Sequence, residues 1–320
     1  MTSHPVIDRI RSVRHEWLGA VWALALAPCV AHADVQLYGR LNLSIEHRAC
    51  AACVPIEVAD NASRIGLLET EQVTPSIRAG VHLEKGFDGT TGQSYGQGFD
   101  RGAELFIGTD NVKLSAGRFG STAYLGVTDV VSLHNHDTGI SGDALFAHVE
   151  PLERKVGVTV TAGPWTGQMV AWQPDPLSDA KGGKAVFVAY ASSNVSSAVS
   201  IGWDDRRYEH SARVIWQGST VQLAAYVQRD RDVYGEGLRN LARVAIAWNV
   251  GRSELHVNVA RAGAYSTGRE GQGGARQWTI GYNFNLSQRT KVYVLTTAVL
   301  DDGRLYGTRR AQAVGLRHNF

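Results

Sequence analysis

The chain has 320 residues with 35 glycines and only 8 prolines; apolar residues make up 44% of it and the formal net charge is +2. So small a charge gives no support to nucleic-acid binding, which needs a clustered basic surface. No apolar run is long enough and suitably flanked to cross a bilayer as a helix.

Residues 1–33 read as a secretory signal peptide. Arg9, Arg11 and Arg14 form a basic start, an apolar core runs from Trp17 to Val30, and Ala31 and Ala33 place small residues at the cleavage positions. Cleavage is expected before Asp34, leaving residues 34–320 as the mature protein. Cys29 leaves with the signal. Cys50 and Cys53 remain as a Cys-x-x-Cys in a polar loop, where an oxidising compartment favours a structural disulfide; free thiols and a redox or metal role are the alternatives.

From Asp34 onward, runs of about 8–12 residues alternate apolar and polar side chains, as membrane-spanning strands require. Val35, Leu37, Leu41, Leu43 and Ile45 share one face of the first run; Gln36, Tyr38, Arg40, Asn42 and Ser44 share the other. The pattern predicts an all-β, antiparallel transmembrane barrel of about 16 strands. They fall at 35–46, 61–71, 76–86, 101–110, 112–120, 153–162, 167–173, 184–191, 198–204, 209–217, 220–228, 239–248, 254–261, 276–284, 290–299 and 309–320, with Ala144–Pro151 as an alternative sixth strand. Connections after even-numbered strands are short, such as Val73-Thr74-Pro75, whereas those after odd-numbered strands are mostly longer and richer in glycine and charge. Turns on one rim and long loops on the other are what a barrel in an outer membrane produces. Trp203, Tyr208, Trp216, Trp248, Trp278, Tyr282 and Phe284 sit near strand ends, where interfacial aromatic girdles belong.

Alternation alone turns Arg40, Arg64, Arg78 and Lys113 into the lumen, because charge on the lipid face is costly. The plainer reading is that they are ordinary solvated lumen residues. Arg118 shares the face of Leu114 and Ala116 and fits this scheme poorly. His134-x-His136 with Asp137 lacks a fixed third ligand, so no metal site is expected. Gly96-x-Gly98 lacks the strand-to-helix setting of a nucleotide site, and no catalytic triad is visible.

Several segments, in this order and spacing, resemble the general diffusion porins of Gram-negative bacteria, especially the trimeric β-proteobacterial type. They are Val35-Gln36-Leu37-Tyr38-Gly39, Ser63-Arg64-Ile65-Gly66, Gly80–Phe87, Leu114–Phe119 and the closing Ala313–Phe320. The resemblance implies a 16-stranded barrel whose third loop folds inward, here Gly120 to about Leu152. Its acidic residues Asp129, Asp137 and Asp143 would face a basic wall. Arg64 matches a constriction arginine of the family. Arg101 stands two residues before a second such position, which Ala103 occupies, and a basic residue common on the sixth strand has no counterpart here. The terminal Phe320 resembles the signal read by the barrel-assembly machinery. The resemblance further implies a homotrimer among outer-membrane lipids and lipopolysaccharide, passing small hydrophilic solutes and ions without a cofactor, with an anion-leaning wall of Arg40, Arg64, Arg78, Arg101 and Lys113. The alternative is a plugged barrel whose extracellular loops bind a ligand or partner.

Overall fold

The computed structural model describes residues 33–49, 55–120, 127, 129–133, 145–174, 181–267, 273–301 and 307–320. Its strands are Ala33–Ala49 (β1), Ile56–Asp60 (β2), Arg64–Thr74 (β3), Ile77–Gly86 (β4), Gly102–Gly108 (β5), Val112–Arg118 (β6), Lys155–Ala162 (β7), Trp165–Trp172 (β8) and Gly183–Ala191 (β9). They continue as Val195–Trp203 (β10), Tyr208–Gln217 (β11), Val221–Arg231 (β12), Leu238–Val250 (β13), Ser253–Ala262 (β14), Ala275–Asn285 (β15), Thr290–Asp301 (β16) and Arg309–Asn319 (β17). Each pairs antiparallel with its neighbours, and β1 pairs with β17 from Arg40↔Asn319 to Ala49↔Arg310, closing the sheet. Closure satisfies every strand edge, which is what lets β-structure sit in hydrocarbon.

The barrel has 16 strands because β2 and β3 are two halves of one. β2 pairs with the upper part of β1 (Leu43↔Asp60) and β3 with the lower part (Arg40↔Arg64). Between them Asn61–Ser63 forms a break with Ala62 at φ +59°. The predicted strand 61–71 therefore starts three residues early. The extra residue shifts parity: Asn61 and Ser63 are buried inward above the break, and Arg64 lies on the inward face below it. Asn61 donates to Ser44 Oγ at 2.8 Å, and Tyr293 donates to Asn42 Oδ1 at 2.9 Å, so inward polar groups of the break are satisfied across β1 and β16. The predicted sixth strand is β7; of the alternative at Ala144–Pro151, the described residues 145–151 form no strand and belong to the loop preceding β7.

Every other side chain of the strands faces outward, and these include exposed Val35, Leu105, Val156, Met169, Val244 and Val314. An apolar surface of that extent belongs in lipid or against another subunit. Trp165, Trp216, Trp248 and Tyr282 are exposed near the short-turn rim, and Trp203 near the long-loop rim. At the first of these rims Phe320 and Gly39 exchange backbone hydrogen bonds of 3.0 Å. The Phe320 ring covers Gly39 so closely that a Cβ there would lie 2.3 Å from it, so the seat requires glycine.

Loop 3, between β6 and β7, turns into the barrel. Val127, Val131, Leu145 and Phe146 are buried against Ala198, Ala224, Ala245, Ala260 and Ala262. These alanines are inward positions of β10 and β12–β14, and their small size makes the room that the loop fills. Polar contacts fix the loop's register. Gln228 accepts from the Ala147 amide (3.2 Å) and donates to the Ala147 carbonyl (2.5 Å), while the Val149 amide donates to Glu209 (3.2 Å). Phe146 meets Tyr226 edge-on at 4.8 Å and lies under the Arg243 guanidinium at 4.4 Å. Lys155 and Glu150 form a fully buried pair at 2.7 Å where the loop rejoins the wall.

Candidate functional site: the charged lumen wall

Across the lumen from the alanine wall, β1, β3, β4, β16 and β17 carry long charged side chains at their inward positions. Arg40 and Arg64 are direct cross-strand partners, as are Lys291 and Arg317. Asn319 joins the two pairs, since its Oδ1 accepts from Arg40 Nε (3.3 Å) and Arg317 Nε (3.4 Å). One carboxamide oxygen thus holds two guanidinium groups on the same patch of wall. Lys291 also contacts Glu254 at 3.4 Å, and Asn283 and Asn285 donate to that carboxylate.

Asp129 opens a 3-10 turn, Asp129–Val131, in loop 3. With Arg40, Lys291, Arg317, Glu254 and His256 it lines one polar cavity of about 320 Å³. The loop therefore brings an acid to a wall whose basic groups come from both ends of the chain.

A second cluster surrounds Glu84. Arg101 Nε lies 2.7 Å from its Oε1, Arg64 Nε 3.6 Å from its Oε2, and Tyr38 donates to that same Oε2 at 2.7 Å. The Tyr38 ring lies over Gly66 on the neighbouring strand, where a Cβ would stand 2.3 Å away, so glycine lets the phenol reach Glu84. Taken together, the stripe from Arg101 through Arg64, Arg40 and Arg317 to Lys291 has five fixed cations against Glu84, Glu254 and Asp129. Among these eight described groups the surplus is positive.

The residues singled out from the sequence fall in three places. Arg40, Arg64 and Arg101 are on the stripe. Arg101 gets there from the bend before β5 and not by strand alternation: Ala103 itself faces outward opposite Leu83, with Glu104 inward. Arg78 and Lys113 face inward in one cross-strand row with Gly108, but at the short-turn rim. There Arg78 pairs with Asp110, and Lys113 with Glu104 at 2.7 Å. Of the loop acids, Asp129 lies against the stripe, while Asp137 and Asp143 lie outside the described residues, as do Cys50, Cys53 and the 1–32 segment. Arg118 binds the Asp100 carbonyl (2.6 Å) and Glu153, bracing the loops at the outer rim. Sequence alternation does not single out Lys291 and Arg317. Their inward parity was readable from Val292 and Leu316 beside them, but nothing local marks them as neighbours of Arg40 until β1 closes on β17.

A family model described as Gram-negative porin matches residues 20–303. Among solved structures, an anion-selective porin from Comamonas acidovorans superposes with a TM-score of 0.76 at 18% identity, covering 90% of this chain and 100% of that one. OmpT of Vibrio cholerae, solved in a trimer form, gives 0.69 at 14% identity over 90% and 99% of the two chains. A Salmonella typhi OmpF complex with daunomycin gives 0.71 at 13% identity over 89% and 97%. At these identities the likeness carries the fold. No curated protein sequence matches.

Proposed function

Because this chain belongs to the Gram-negative porin family, and so forms an outer-membrane channel for passive diffusion, we propose that its selectivity resides in the stripe Arg101–Arg64–Arg40–Arg317–Lys291 facing Asp129. The observation that carries this is the single cavity shared by loop 3 and the wall, with Arg40, Arg317 and Lys291 on one side and Asp129 on the other. Convergent cations in a narrow, low-dielectric opening raise the local anion concentration. The opposed Asp129 sets a transverse field that orients dipolar solutes, and loop 3 sets the size limit. The Comamonas porin with which the chain superposes is described as anion-selective, in keeping with an anion lean here.

Arg64 and Arg101 share the one Glu84 carboxylate, which offsets part of their charge, while Arg40, Arg317 and Lys291 line the cavity with Glu254 and Asp129. Arg78 and Lys113 are offset at the turn rim by Asp110 and Glu104 and add little to the field. Asp137 and Asp143 extend the acidic side of the loop. The working form is a homotrimer, supported by the trimer form of the Vibrio neighbour and by Glu69. That carboxylate faces outward beside Val35 and Val81 without an ion pair among the described residues, a position better suited to a subunit contact than to lipid. Residues 1–33 are removed on export, Cys50 and Cys53 close a small disulfide, and Phe320 serves the assembly machinery. The protein acts without cofactor or catalysis. The test is ion selectivity after Arg40→Ala and Arg317→Ala, expected to lose anion preference; an unchanged reversal potential would refute the assignment.

A further inference from the structure

The cavity between loop 3 and the basic wall holds more than a pattern of charge. Val130 and Leu133 line it beside Asp129, so the loop offers two apolar side chains together with its carboxylate. A filter for simple ions has no use for them. Val130 is exposed, and Leu133 lines the cavity while also packing against the buried seat of the loop. Leu133 holds a left-handed backbone, φ +56°, a conformation disfavoured for a bulky side chain. Backbone of that kind is kept where the surrounding structure enforces it, and such positions cluster at ligand sites. Here it follows the 3-10 turn Asp129–Val131, which Ser132 Oγ braces by donating to the Asp129 carbonyl at 3.2 Å.

The charged groups of the cavity divide by task. Glu254 is enclosed by its own wall: Lys291 lies at 3.4 Å and His256 at 3.5 Å, and Asn283 and Asn285 donate to it at 3.0 and 2.8 Å. Asp129 is the carboxylate that the cavity presents from the loop side. On the wall side Arg40 and Arg317 each give Nε to Asn319 Oδ1. A guanidinium carries five N–H donors, so that contact orients the pair without exhausting it.

We propose that this cavity, of about 320 Å³, is a subsite for an α-amino acid with an aliphatic side chain. Arg40 and Arg317 receive its carboxylate, Asp129 its ammonium group, and Val130 with Leu133 its side chain. The three groups of such a solute branch from one carbon, and the cavity sets three matching surfaces around one small space. Other occupants match less of it. An inorganic anion leaves the apolar surface uncovered and meets Asp129. A carboxylate without an amine also meets Asp129, and an amine without a carboxylate meets the surplus of Arg40, Arg317 and Lys291. A charged side chain would be set against Val130 and Leu133 at a cost in desolvation. Binding that is weak and reversible suits a channel, because the solute must leave as well as enter.

The proposal rests on the selectivity reading above and names a solute for the same wall, so binding and ion preference are measured separately. The full-length folded barrel in deuterated detergent is titrated with four probes, each followed by saturation-transfer NMR. They are L-leucine, 4-methylpentanoate (which lacks the amine), 3-methylbutylamine (which lacks the carboxylate) and L-glutamate. The expected result is saturable binding of L-leucine, with each of the other three weaker by about fivefold or more. Asp129→Asn is expected to weaken L-leucine by about fivefold and to bring 4-methylpentanoate level with it. L-leucine that binds no tighter than 4-methylpentanoate or L-glutamate to the wild type, or an unchanged ratio of L-leucine to 4-methylpentanoate in Asp129→Asn, would overturn the site. The wild-type titrations decide the matter even where the variant fails to fold. L-leucine binding by a barrel whose zero-current potential favours cations would support the subsite and refute the selectivity reading. An anion-favouring potential without L-leucine binding would do the reverse.

Discussion

The two halves of the lumen are built by the same rule and end in opposite states. On β10 and β12–β14 the inward positions include Ala198, Ala224, Ala245, Ala260 and Ala262, and loop 3 packs Val127, Val131, Leu145 and Phe146 against them so that all are buried. On β1, β3, β16 and β17 the inward positions include Arg40, Arg64, Lys291 and Arg317, and the wall stays solvated. Alternation decides only that a side chain points inward. Its size and charge decide whether it becomes core or channel. The packed half holds the loop still, and the solvated half gives the held loop something to select against.

Breaking the packed half is expected to have the largest effect. Phe146→Ala removes a buried ring from between Tyr226 and Arg243, a change of about 3–5 kcal/mol. Loop 3 then loses its seat, so single-channel recordings are expected to show a higher, noisier conductance with substates. A quiet wild-type trace would mean the loop is held elsewhere.

Next in size is the solvated half. Removing one cation that acts on a permeating ion at close range in a water-filled opening is worth about 1 kcal/mol, or roughly fivefold in permeability ratio. Arg40→Ala is therefore expected to lower anion over cation permeability about that much, and Arg64→Ala by less while raising conductance, because Arg40 lines the cavity with Asp129 whereas Arg64 lies outside that lining with Glu84 offsetting part of its charge. Glu84→Gln should shift selectivity the other way, toward anions, since it frees both Arg64 and Arg101. Equal shifts for Arg40→Ala and Arg64→Ala would show that Glu84 does not screen its partners.

The smallest expected effect concerns the rim, where neither half reaches. Asp100 sits in the loop between β4 and β5. Partial burial works against its charge, but the Gly86 amide and Lys85 outweigh that and hold its carboxyl below the usual carboxylate value. A depressed carboxyl stabilises the loop fully above the ordinary carboxylate range and loses that contribution as pH falls through the depressed value. Protease sensitivity of this loop should rise on acidification below that range in the wild type, and be already raised and pH-insensitive in Asp100→Asn.

Much of this was legible beforehand, for physical reasons. Strand positions follow from period-two alternation and turn length, and the predicted sixteen recur with shifts at their ends. The exception is instructive: the break at Asn61–Ser63 inserts one residue, and no alternation pattern reveals a bulge whose flanks are both regular. Arg40 and Arg64 could be found because each lies in a clean alternating run. Lys291 and Arg317 lie in equally clean runs, but their meaning depends on barrel closure, a contact of 251 residues or more in sequence that local pattern does not encode. The loop's seat was also written in the chain, as alanines at inward positions of β12–β14, though small inward residues become a signal only once something is known to fill them. Arg101 reaches Glu84 through the bend before β5, a placement that strand alternation does not describe.

The central claim is that a closure-dependent cluster, Arg40 with Arg317 and Lys291 against Asp129, sets selectivity. It is tested most directly by the zero-current potential of the reconstituted barrel in a planar bilayer across a salt gradient, for wild type and for Arg40→Ala with Arg317→Ala. The account predicts an anion-favouring potential in the wild type that moves to neutral or cation-favouring in the double variant. A wild-type potential that favours cations, or an anion preference that survives both substitutions, would contradict it.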